Sequence, residues 1–498
     1  MHGNMGGAMA NKKSSPDADL RSVIPFHPCS NGEYEPSPPD HRARRTEAMW
    51  RQLVEEKHRR AGMGRREFAQ SACGVATSLF VLNQMACADG DTPNPGQADT
   101  GADGGFFDVP PEMMEDPECA EALLYDPDQF VLDVQTHVAN PPLSSPWPEG
   151  SPTDRAVDYI KQIFVEGGTT VACISGVPSA RTPGQGNMQA RSQLKEIIGR
   201  IGGDRMRLHC NVDFRNPPTA ELDYMNQITD NHDVGAWKVY PYTQQWLANQ
   251  EQGLPFAEQA RDLGVPVIAA HRGIAGDGDY LHPGSPRDLV DAARQVPQVQ
   301  YLCYHSGWEN GRREDHPYDP QATDDQTFGI DRFIRALIEF DIPRNAGNVY
   351  AELGSTWHNL RARPEEAAHA LGKLLLYLGE DRILFGTDSV FNGPPQGQIA
   401  ALRAFQIPAR LREEFGYPEI TDDIRRKILG LNAAPLYNVD PTTERCRFDD
   451  MDVENLRLSY LNDPKSVPMP HPQRYIGPQT RREFFAFVKN ERRLGEHG

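Results

Sequence analysis

From Phe130 onward the chain alternates short apolar runs with amphipathic stretches. The apolar runs fall at 130–137, 169–175, 206–212, 236–240, 265–271, 299–305, 348–353 and 382–388. Each is strand-length and nearly continuous in hydrophobicity, as expected of a strand buried on both faces. Between them a helical period predicts helices over 154–165, 189–201, 255–263, 287–294, 330–339 and 364–378. Eight strands separated by helices predict a (β/α)8 TIM barrel. An open Rossmann-like sheet is the alternative. It would need a glycine-rich phosphate loop after the first strand, where Asn140-Pro141-Pro142 stands instead.

Several of these runs end in residues that bind metals or move protons: Gln135 and His137, Lys238, His271, His305 and Asp388. A barrel gathers the C-terminal ends of its strands around one mouth, so these side chains are predicted to converge. Imidazoles and a carboxylate at one point suit zinc, with manganese or iron as alternatives. A divalent ion there would acidify water and polarise a substrate oxygen. Asp388 could then accept a proton and His305 donate one to a leaving group. A lone strand-end histidine is usually just a satisfied polar residue; three of them with an aspartate are not. Lys238 has three readings: a carboxylated bridging ligand, an anchor for a substrate carboxylate, or an ion-pair partner. Glu352 either lines the mouth or supports its neighbours. His209 is expected to pack within the third strand, and His232, His282, His316, His358 and His471 to face solvent.

Composition narrows the function. The 498 residues carry a formal charge of −19, which argues against nucleic acid, since a duplex binder needs a basic face. A small-molecule substrate is expected. Eight cysteines are scattered with no C-x-x-C pair, so no zinc ribbon is indicated. Cys173, Cys210 and Cys303 read as buried thiols.

Residues 1–62 are rich in Pro, Gly, Ser, Arg and His, without a period, and read as a disordered extension. Residues 63–88 contain Arg65-Arg66, a weakly apolar run from Ala69 to Met85, and small residues at Ala86-Cys87-Ala88. That combination resembles a twin-arginine (Tat) signal peptide, which implies a Tat translocase partner and a periplasmic or extracellular destination. The same Arg-Arg-Glu-Phe recurs at 481–484 ahead of an amphipathic helix, so only context makes the first copy a signal. Residues 89–128 read as an acidic linker, 129–438 as the barrel, and 439–498 as a C-terminal extension. Its helix, 479–493, offers Phe484, Phe485, Phe487 and Val488 to the barrel or to a second subunit in a homo-oligomer.

Five motifs together resemble the amidohydrolase superfamily: Asp133-Val134-Gln135-Thr136-His137, Ala270-His271-Arg272-Gly273, Tyr304-His305-Ser306-Gly307, Phe385-Gly386-Thr387-Asp388-Ser389 and Lys427 to Ala434. The likeness is to the amidohydrolase-related branch, which includes aminocarboxymuconate-semialdehyde and γ-resorcylate-type decarboxylases. It implies that His137, His271 and Asp388 are metal ligands, and that His305 is the acid/base group or a further ligand. Lys238 or Arg272 would hold a substrate carboxylate. Gln135 departs from the branch's His-x-His. A neutral amide leaves three outcomes: one metal with fewer strong ligands, Gln135 as an oxygen ligand to a harder metal, or no metal. The reading favoured here is a one-metal hydrolase acting on an amide, lactone or ester-like bond. Non-oxidative decarboxylation is the alternative reaction, and a secreted barrel that lost turnover through Gln135 the alternative class.

Overall fold

A computed structural model describes residues 20–86, 105–138, 152–176, 186–213, 218–240, 246–274, 284–461 and 477–495. Eight parallel strands follow in chain order: β1 Leu132–Thr136, β2 Val171–Ile174, β3 Met206–Asn211, β4 Val234–Val239, β5 Val267–His271, β6 Gln300–Tyr304, β7 Val349–Glu352 and β8 Ile383–Leu384. The chain after β8 returns to β1: Val134 N donates to Phe385 O at 3.0 Å, and Asp388 N to Gln135 O at 2.9 Å. This is the predicted (β/α)8 barrel, and every predicted strand is present.

The predicted helices also form, with others besides; Pro218–Asn231 joins β3 to β4. Its apolar positions Leu222, Met225 and Ile228 are too few to stand out from its polar residues. Inside the barrel, Leu132, Val134, Val171, Ala236, Val267, Ala269, Leu302 and Leu384 form one buried cluster. The other strand face packs against the helices. Residues 427–431 pack under the barrel, where Phe385 N donates to Ile428 O at 3.0 Å.

The expected disordered extension needs correction over residues 20–62. Residues 20–62 are ordered. Helix α1, His41–Lys57, buries Trp50 and Val54, and is capped by Asp40, whose carboxylate accepts from Ala43 N at 2.7 Å. The run read as a signal core forms α2, Arg65–Gln70, and α3, Ala72–Ala86. Helix α3 is buried along most of its length. It packs against α1, against α4 (Pro117–Leu124), and against barrel helices Pro364–Tyr377 and Gln396–Ala404. Its polar residues are satisfied: Ser78 Oγ meets Ser22 Oγ at 2.7 Å, and Asn83 exchanges two bonds with the Phe107 backbone at 2.7 and 2.9 Å. A weakly hydrophobic run reads alike in both settings; here its polar groups serve packing. No described helix is long and apolar enough to cross a membrane. Cys87 and Ala88 lie outside the described residues. Part of the expected linker is ordered too: Phe106, Phe107, Met113 and Met114 are buried.

The extension after residue 438 packs on the barrel at two places. Phe448 stacks with Phe164 at 5.2 Å between ring centroids, with Arg205 5.2 Å above its ring. Residues 477–487 lie over a strap formed by residues 29–34: Ser30 N donates to Pro478 O at 2.9 Å, and Arg481 pairs with Glu35 at 2.6 Å. The strap itself crosses the C-terminal mouth of the barrel.

Removal of the Leu79 side chain separates a structural helix from a leader that is cut away. Leu79→Ala, at a buried α3 position, is expected to cost about 3 kcal/mol of unfolding free energy in the purified protein. Urea denaturation of the purified protein measures it. An unchanged midpoint would mean that α3 is not part of the working fold.

Candidate metal centre at the barrel mouth

The end of β1 is fixed by Asp133. Its Oδ1 accepts from Gln135 N and from Thr387 N, each at 3.1 Å, tying β1 to the segment that carries Asp388. Burial pushes the Asp133 carboxyl up to about 7, against the bonds from Thr387 and Gln135. Beyond it, His137 and Gln135 turn into the mouth. His137 Nδ1 lies 3.1 Å from Ser175 O. A carbonyl only accepts, so Nδ1 carries a proton and Nε2 is the nitrogen that faces the mouth. That Nε2 is 3.0 Å from Asp388 Oδ1.

Asp388 is the most heavily contacted group of the site. Oδ1 also accepts from Gln135 Nε2 at 3.0 Å; Oδ2 accepts from Ser355 Oγ at 2.7 Å and Asn31 Nδ2 at 2.8 Å. Burial opposes its ionisation. The His137 contact, the His305 ring and the Ser355 bond outweigh burial and hold the carboxyl well below the usual carboxylate range.

His271 ends β5 and lies 4.6 Å from His305, ring centroid to ring centroid. Its Nε2 is 3.0 Å from Glu33 Oε2. Glu33 belongs to the strap, and no period or motif marks it in the sequence. Ligand atoms of Glu33, His271 and His305 all lie within 4.8 Å of one another. Burial raises the Glu33 carboxyl, but the charge and hydrogen bond of His271, with His305, bring it down to about 2.

His305 follows β6 with φ +62°, and Ser306 has φ +52°. Such a conformation is strained for a side-chain-bearing residue and persists only where its surroundings impose it. They do so here: His305 N donates to Glu352 Oε2 at 2.9 Å, and Thr356 Oγ1 to His305 O at 2.6 Å. Ser355 N donates to His305 Nδ1 at 3.1 Å. Nδ1 is therefore the acceptor, and the neutral ring carries its proton on Nε2. Burial, then the neighbouring His271, lowers His305 to about 3. It works as a neutral donor. Helix Gly354–Leu360 can approach this closely because residue 354 is glycine: a Cβ there would lie 2.6 Å from both Gln135 Oε1 and His305 Nδ1.

Lys238, on β4, is fully buried. Its Nζ lies 3.3 Å from the Tyr304 ring centroid and 5.0 Å from that of Tyr240, and has no hydrogen-bond partner among the described residues. Burial lowers it to about 7, against the pull of Glu352 and Asp388. Glu352 is raised by burial to about 8, and its Oε1 has no partner either, nor has Gln135 Oε1. Three orphaned polar atoms in one dry site call for a polar occupant.

The mouth thus gathers Gln135, His137, Lys238, His271, His305 and Asp388. Arg272 is not among its open groups. It is fully buried in a two-bond pair with Asp288, at 3.1 and 3.2 Å, and its remaining arm donates to His271 O at 2.7 Å. With those donors committed, Arg272 serves the scaffold. His358 also departs from expectation: it is buried, and desolvation holds it well below its usual range. His209 packs as expected, between Ser175 and Tyr437. Glu33, Asn31 and Ser355 are absent from the sequence reading. A cavity of about 640 Å³ lined by Phe130, Thr170, Arg205 and Arg403 lies at the opposite end of the barrel, away from this chemistry.

Residues 204–439 match the family profile described as Amidohydrolase. That stretch, a little under half of the chain, is similar to this family. The match begins just before β3, so it contains Lys238, His271, His305 and Asp388 but not Gln135 or His137. No curated protein matches the chain. Solved structures that resemble it include a probable 2-pyrone-4,6-dicarboxylic acid hydrolase from Acinetobacter baumannii with citric acid bound. It has 12% identity, with 62% of this chain and 99% of that one covered and a TM-score of 0.37. A 2,6-dihydroxybenzoate decarboxylase from Rhizobium has 14% identity over 62% and 99%, with a TM-score of 0.40. A 5-carboxyvanillate decarboxylase from Novosphingobium aromaticivorans, complexed with manganese, has 12% identity over 63% and 97%, with a TM-score of 0.41.

The pairing of Arg272 can be checked by stability. Arg272→Met strands a buried Asp288 and is expected to cost about 3 kcal/mol, read from urea unfolding. A variant as stable as the wild type would reopen a substrate role for Arg272.

Proposed function

We propose that this chain is a metal-dependent hydrolase of amidohydrolase type, cleaving a C–N or C–O bond in a small amide, lactone or ester-like substrate. The observation that carries this reading is the convergence of His137 with Asp388 and of His271 with Glu33, each pair 3.0 Å apart at the barrel mouth. The donor set fits one divalent ion: neutral imidazole nitrogens beside two carboxylates that stay ionised. His137, His271 and Asp388 would hold the ion, with Gln135 placed by its bond to Asp388. Zinc suits the imidazoles, and manganese or iron would be accepted by the same mixed set. Such an ion supplies Lewis acidity and a more acidic water.

The protein's own groups do the rest. His305 donates its Nε2 proton in a hydrogen bond to the substrate oxygen that gains charge. Asp388, fixed by four contacts, orients the attacking water and accepts its proton only once the surrounding positive charge is shared. Lys238, dry and resting on Tyr304, is suited to pair with a substrate carboxylate. The strap and the apolar walls exclude bulk water, which strengthens each of these contacts. Lys238 also suits the second reading, non-oxidative decarboxylation of a small acid.

Metal analysis tests the proposal. Near-stoichiometric metal is expected in the wild type, with its loss in His271→Ala and Asp388→Asn. His305→Asn should keep the metal and lower kcat by about 10²- to 10⁴-fold. A wild type that binds no divalent ion under any loading condition sinks the proposal. Carbon dioxide release from candidate acids, without a hydrolysis product, would move the reaction to the decarboxylase reading.

A further inference from the structure

We infer that the strap completes the metal centre, with Glu33 as the ligand that takes up the role Gln135 leaves unfilled; this rests on the proposed metal-dependent function. At the end of β1 the chain offers an amide, a weaker donor than an imidazole. With His137, His271 and Asp388 alone, a divalent ion would sit in a buried site with one negative charge against two positive. That imbalance is costly in a dry interior. Glu33 supplies the second negative charge and makes the centre neutral.

The geometry is built for it. Residues 30–33 form a tight turn: Gly32 N donates to Ser30 Oγ at 2.9 Å, and Glu33 N to Asn31 Oδ1 at 3.0 Å. Gly32 has φ +97°, which glycine adopts freely, and Phe487 covers it from the C-terminal segment. The turn places the Asn31 amide between the two carboxylates. Asn31 Nδ2 donates to Glu33 Oε2 at 2.7 Å and to Asp388 Oδ2 at 2.8 Å. One amide therefore sets the spacing of both anions. The strap is anchored on either side of the turn, by the Ser30–Pro478 backbone bond and by Tyr34, whose hydroxyl lies 3.0 Å from Asn359 Nδ2. A casual surface ion pair would have no such support. Glu33 instead reaches His271 Nε2 at 3.0 Å.

The full-length chain is tested with zinc and manganese ions, by metal analysis after dialysis and by competition with a chelator. Glu33→Gln is expected to weaken metal binding at least about tenfold, while Glu33→Asp, which keeps the charge, loses less. Adding Gln135→His to Glu33→Gln is expected to restore affinity, because an imidazole then returns at the end of β1. Unfolding midpoints of the metal-free proteins exclude a folding defect as the cause. If Glu33→Gln binds metal as tightly as the wild type while His271→Ala loses it, the inference is overturned and the proposed function stands. If the wild type binds no metal, both fall.

Discussion

Two carboxylates held ionised at one buried point are the constraint on which the rest of this structure depends. Asp388 and Glu33 repel each other, and neither can be hydrated freely. Each therefore needs compensation close by. His137, Gln135, Ser355 and Asn31 give it to Asp388, and His271 and Asn31 to Glu33. These partners come from β1, β5, the helix after β7, and a strap far upstream in sequence. Holding the anions thus fixes the relative placement of four distant parts of the chain.

Backbone strain collects at the same point. His305, Ser306 and Asp388 all have positive φ, at +62°, +52° and +57°. Each costs about 1–3 kcal/mol and survives only because its neighbours over-determine it. Asp133 and Glu352 do that work from behind the site: one joins β1 to the β8 end, the other grips the His305 backbone. Burial raises both carboxyls. The stiffness of the centre resides in these two supports.

The barrel was legible in the sequence because its parallel strands are buried on both faces and read as continuous apolar runs. Its mouth was legible because those runs end in His137, His271, His305 and Asp388. Other features were silent for physical reasons. Arg272 after a strand reads the same whether it faces substrate or Asp288. The α3 run has the hydrophobicity of a leader core, and its pattern alone does not announce the contacts it makes with α1 and α4. Glu33 lies in a turn without period, and its partner in space is more than two hundred residues away. Short-range patterns cannot carry such a pairing. Gln135 was noticed as a mismatch, but what compensates for it comes from outside the barrel altogether.

The grip of residues 477–487 on the strap has a consequence for how the protein comes into being. Ser30 leaves the ribosome before the barrel does and must wait for Pro478, its backbone partner, which is made after the barrel. The barrel strands, all translated between those two points, can close first. A nascent chain would then hold a finished barrel with an uncovered, highly charged mouth, and the strap would seat only once residues 477–487 have emerged. Assembly of the centre is in this sense a closing stitch that joins a segment before the barrel to one after it, over chemistry laid down between them.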